Sequence, residues 1–63
     1  MRTFIIWTDL SHSEQAIRKR DILLQANPGD RIVYQGPNQM DQTWYEVVEM
    51  DGIKELIWIH QED

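Results

Sequence analysis

Cysteine is absent from these 63 residues, which excludes disulfide staples and every thiolate metal site. Histidine occurs twice, His12 and His60 at opposite ends of the chain, with no short-range ligand spacing such as HxxxH. No metal or other cofactor is therefore expected. No window approaches 18 consecutive apolar residues, and the N-terminus lacks a basic-then-apolar signal pattern, so the expectation is a cytoplasmic chain with no membrane association. A chain this short buries only about 60% of the surface its unfolded form exposes. Domains of that size usually lean on a metal, on disulfides or on a partner chain. With the first two excluded, a partner chain or unusually good packing remains.

Basic residues are also scarce, six against eleven acids, for a net charge of -5. The imbalance is uneven. Residues 1–40 carry five bases and four acids, whereas residues 41–63 carry seven acids and Lys54 alone. Affinity for nucleic acid grows by displacing counterions from phosphates, which requires a basic face. The acidic half offers the reverse, so direct nucleic-acid binding is not expected. Arg18, Lys19 and Arg20 are consecutive, which points them in three directions on a helix, and Glu14 has the favourable i,i+4 spacing to Arg18.

With three glycines and two prolines, the breaks between elements are easy to read. Arg2 to Trp7 is a short run of β-branched and aromatic residues, a pattern that predicts a strand central in the sheet, with Trp7 in the core. Ser11 to Ala26 contains neither Gly nor Pro, and Asn27-Pro28-Gly29-Asp30 ends it, as a helix and its stop require. Arg31 to Gln35 reads as a second strand, followed by a loop around Gly36-Pro37-Asn38-Gln39. Thr43 to Met50 and Ile53 to His60 flank Asp51-Gly52, a pair suited to the positive φ angles of a type I′ hairpin turn. The expected fold is α/β (α+β): residues 1–63 as a single β-α-β-β-β domain, one helix on a mixed four-stranded sheet with a C-terminal β-hairpin, the first two strands parallel.

Such a fold has more apolar surface than it needs. At about 100° per residue, Ile22, Ala26, Leu23, Ala16, Leu24 and Ile17 span roughly 220° of the helix, while one sheet face occupies about half of that. Arg20 falls near the middle of the arc, where it must lay its methylenes on the core and snorkel outward or pair with a carboxylate. A two-residue turn puts Met50 opposite Ile53, Val48 opposite Glu55, Glu46 opposite Ile57 and Trp44 opposite Ile59 on one face. The other face takes Glu49 with Lys54, Val47 with Leu56, Tyr45 with Trp58 and Thr43 with His60. One helix covers one face, so the other is left for a partner. Of Trp44, Tyr45 and Trp58, at least one should be exposed, and these are side-chain types that anchor interfaces. Together with Glu46, Glu49 and Glu55 they form the expected partner-binding set.

The segment Thr8 to Glu14, TDLSHSE, holds the residue types of a hydrolytic site, but Asp9, Ser11 and His12 are too close in one turn to form a working triad. Ser11 followed by Glu14 instead matches a capping box that starts the helix. The longer stretch FIIWTDLSHSEQAI resembles the opening strand and Ser-rich helix start of universal stress proteins, which are α/β nucleotide-binding domains. The resemblance covers 14 residues and implies that Asp9 faces a nucleoside. The glycine-rich phosphate-binding segment of that family has no counterpart. The reading that follows is a non-enzymatic protein-interaction module, a small acidic inhibitor or adaptor such as a phage protein that blocks a nucleic-acid enzyme or host complex, bound to a protein partner or to its own copy. The alternative is a small-molecule or nucleotide site at the end of the first strand, using Asp9 and His12.

Overall fold

A computed structural model describes residues 1–59. Its elements follow in the order β1 (Thr3–Trp7), α1 (His12–Gln25), β2 (Arg31–Gln35), β3 (Gln42–Met50) and β4 (Ile53–Ile59). The four strands form one sheet in the order β1-β2-β3-β4. β1 and β2 are parallel, and both β2–β3 and β3–β4 are antiparallel. Asp51 (φ 54°) and Gly52 (φ 78°) take the positive angles of the tight turn, and the hairpin register matches the expected one from Met50–Ile53 through Trp44–Ile59. The Thr43–His60 pairing lies outside the described residues. Among those described, no helix is long and apolar enough to cross a membrane.

One expectation is overturned. β1 is an edge strand, not a central one, and Trp7 is half exposed rather than in the core. The short connection from β2 to β3 makes those two strands neighbours, so β3 and β4 extend the sheet on the side away from β1. Gly36 closes that connection: its N–H donates to the Asp41 carbonyl at 2.7 Å, and a Cβ on it would lie 2.6 Å from the Asp41 Cβ. Phe-Ile-Ile-Trp is apolar on both sides because both faces of the sheet are apolar there, and this pattern does not distinguish a centre from an edge.

The core lies on one face, where Ile6, Ile32 and Val47 pack with Ile22 and Ala26 of α1, flanked by Phe4, Leu23, Tyr34 and Leu56. Ser11 caps the helix, its Oγ accepting the Glu14 N–H at 3.1 Å. Among the described residues the reciprocal bond from the Glu14 side chain is not formed, so only half of the capping box is present. No basic residue occupies the last turn of α1. Its terminal carbonyls are met instead by cations from elsewhere in the chain: Lys54 Nζ of β4 donates to Leu23 O at 3.0 Å and Ala26 O at 2.6 Å, and Nη2 of Arg2, just before β1, donates to Gln25 O at 2.7 Å.

Candidate interaction face

Strand side chains alternate between faces, so the core assigns even-numbered positions of β1 and β2 to the helix side. The opposite side carries Thr3, Ile5 and Trp7 from β1 and Arg31, Val33 and Gln35 from β2. The pairing register extends it across the hairpin. Ile5 stands beside Val33, Val33 beside Trp44 and Trp44 beside Ile59, one apolar row crossing all four strands. Among the described residues no element covers this row. Val33, in an inner strand, is only 3% exposed, shielded by its neighbours in the face. On the same face, Ile5, Trp7 and Ile57 near it and Met50 and Ile53 at the hairpin end are all exposed.

Polar groups organise the margin of this face. Trp44 Nε1 donates to Gln42 Oε1 at 3.2 Å, Gln42 Nε2 to Gln35 Oε1 at 2.7 Å, and Gln35 Nε2 to the carbonyls of Gly36 at 3.1 Å and Asn38 at 2.9 Å. This chain ties the Trp44 indole to the β2–β3 loop. Next to it a shallow depression of about 540 Å³ opens between Ile5, Trp7 and the Pro37–Gln39 side of the same loop. The next row along the sheet is Thr3, Arg31, Glu46 and Ile57, placing opposite charges on adjacent strands. Arg31 Nε is enclosed without a hydrogen-bond partner among the described residues.

The six residues expected to bind a partner divide between the two sides. Trp44, Glu46 and Glu55 belong to the open face, whereas Tyr45, Trp58 and Glu49 are on the helix side, as the register requires. Tyr45 packs edge-on against Tyr34, with ring centres 5.5 Å apart and planes at 77°. Burial, with a smaller contribution from Tyr45, raises the pKa of the Tyr34 phenol above its ordinary value. Trp58 is 64% exposed. The residues that reading missed are Ile5, Trp7 and Ile57. Alternation within β1 could have signalled the first two, had that strand not been assigned to the centre.

The TDLSHSE segment is bound up in the fold. The Thr8 N–H donates to Gln35 O at 3.0 Å, and Gln15 Nε2 reaches back to the carbonyls of Thr8 and Leu10. Asp9 and His12 are exposed and not bonded to each other. Asp9 lines a cavity of about 170 Å³ with Trp7, Gln35, Gly36 and Pro37, smaller than the roughly 300 Å³ at which small-molecule sites begin. Among the described residues no three His, Asp or Glu side chains gather as metal ligands; His60 lies outside them. Compared with family models, curated proteins and solved structures, the chain matches none.

Proposed function

We propose that this chain is a non-catalytic protein-interaction module whose docking surface is the open face of the sheet. The observation that carries this reading is the row Ile5, Val33, Trp44 and Ile59, which runs through all four strands, is covered by no element among the described residues, and has Trp7 and Ile57 exposed beside it. Four strands span roughly 19 Å and a five- to seven-residue strand about 20 Å, so the face is on the order of the larger apolar patches that mark binding surfaces. Its tethered tryptophan loses little conformational freedom when a partner arrives.

Charge favours one kind of partner. Glu46 and Glu55 stand among the apolar groups, and the chain as a whole carries -5. A protein with an apolar patch and a basic rim complements this face, whereas a second copy would bring like charges together. Small size and acidity suit an inhibitor or adaptor, for instance one blocking a nucleic-acid enzyme or a host complex.

The test uses a double variant, Ile5→Lys with Ile57→Lys, both positions being exposed in the folded chain. Wild type and variant are immobilised side by side and exposed to lysate at low salt. The expected result is a protein retained by wild type, released as salt rises, and not retained by the variant. Equal retention by both forms removes the open face from the function. A wild type that sediments as a dimer and a variant that sediments as a monomer would replace the basic partner by a second copy.

A further inference from the structure

The 220° apolar arc of α1 is used only in part. Ile22 and Ala26 are fully buried and Leu23 half-buried, but Ile17 is half exposed, Leu24 is 77% exposed, and Ala16 and Arg20 are exposed between them. Most of the bare half of the arc borders an open groove. Ala16, Lys19, Arg20, Leu23 and Leu24 form one wall of it and Gly52 and Lys54 at the hairpin end the other, with a volume of about 540 Å³. That wall follows the i, i+3, i+4, i+7, i+8 spacing of a single helix face and runs for about 12 Å.

Two features say what fills it. The first is space. The sheet is roughly 19 Å wide and a helix with its side chains about 10 Å across. α1 makes its main contacts with β1, so the β4 side of the same face has width for one more helix at the usual spacing of about 8–10 Å. Among the described residues no element lies over that side, where Leu56 is half-buried on the helix face of β4. The second is charge. The groove is lined by three cations and no acid in a chain whose net charge is -5, with Glu49 and Asp51 just outside it as the neighbours of Lys54 and Gly52. Lys54 commits two of its ammonium protons to the end of α1 and has a third for an incoming acceptor. Arg20, the cation within the apolar arc, forms no ion pair among the described residues and stands at the groove.

We propose that this groove docks one amphipathic helix from a protein partner, its inner face apolar against Leu23 and Leu24, its edge acidic against Lys19 and Arg20. The helix would complete a two-helix layer on the sheet, the groove recognition of an amphipathic segment by apolar anchors at helical spacing. This site is separate from the open face and has the opposite charge preference, so the module joins two surfaces.

A stapled synthetic helix with a leucine stripe and a glutamate edge is the probe, titrated into isotope-labelled protein and followed by amide NMR shifts. Shifts at Ala16, Leu23, Leu24 and Lys54 are expected, with affinity reduced roughly tenfold or more in Lys19→Glu/Arg20→Glu and unaltered in the open-face variant Ile57→Lys. Both reversed positions are exposed, and an unchanged melting temperature verifies that the variant folds. The proposal is overturned by a peptide that causes no shifts at about millimolar concentration, by equal binding of a lysine-edged peptide, or by shifts confined to the open face. It is likewise overturned if decanoate saturates the groove while the peptide does not, which would make it an alkyl-chain site.

Discussion

Asp30 occupies a turn, where a carboxylate is ordinarily solvated, yet its side chain is buried. Its Oδ1 accepts the Arg2 N–H at 3.0 Å, its Oδ2 accepts the Asn27 N–H at 2.9 Å, and the Arg2 guanidinium lies 3.5 Å away. The backbone bond from Arg2, then that from Asn27, hold its pKa below the ordinary 3.8, with burial acting the other way and the Arg2 charge adding to the lowering. Because the folded form takes up this proton at lower pH than the unfolded chain, the stabilisation is complete above the ordinary value and fades as pH falls through the folded one. Thermal melts between neutral pH and about pH 2 should therefore show an acid-side loss of stability that is smaller in Asp30→Asn, a variant already less stable at neutral pH. Identical acid dependence in both forms would assign the loss to other carboxylates. In the sequence Asp30 is simply the last residue of a turn. Its partner Arg2 lies 28 residues away, and nothing local announces the pairing.

At the scale of elements, α1 depends on its two ends in different ways. Its start was legible from Ser11 and Glu14, since a cap acts over three residues. Its end was not, because the groups that satisfy Leu23, Gln25 and Ala26 carbonyls are Lys54 of β4 and Arg2, just before β1. Lys54→Met keeps the apolar stem and removes the ammonium, and should cost roughly 1–3 kcal/mol in denaturant unfolding, the range of a bond to a charged group and of orphaned carbonyls. Ser11→Ala should cost about 1 kcal/mol. If Lys54→Met proved as stable as wild type, water would be an adequate cap, and Lys54 would be left to the groove alone. The strands show the same division. The hairpin register followed from a two-residue turn, which is local chemistry, while the place of β1 in the sheet depended on where β3 and β4 went.

Among the described residues, both faces of the sheet are incompletely covered: no element lies on the open face, and the helix side carries a single helix that fills about half its width. The three tryptophans report on this directly. Trp7 and Trp58 are 50% and 64% exposed, on opposite sides of the sheet, whereas Trp44 is half-buried and hydrogen-bonded. Acrylamide should quench most emission of the free protein, and the Trp7→Phe/Trp58→Phe double variant should keep a bluer, poorly quenched component from Trp44. Uniformly blue, unquenched emission from the wild type would mean that both faces are already covered. A partner on the open face should protect Trp7 and leave Trp58 accessible.

The sequence by itself determined the element order, the parallel first pair, the hairpin register and the fact of an apolar surplus, because turns, caps and periodicity act over a few residues. Only the tertiary structure decided where that surplus lies. Which strand is the edge, which half of the α1 arc meets the sheet, and which distant cations close the helix depend on contacts between residues far apart in the chain. TDLSHSE illustrates the boundary: its capping role is written in its spacing, but its attachment to Gln35 exists only once β1 and β2 are paired.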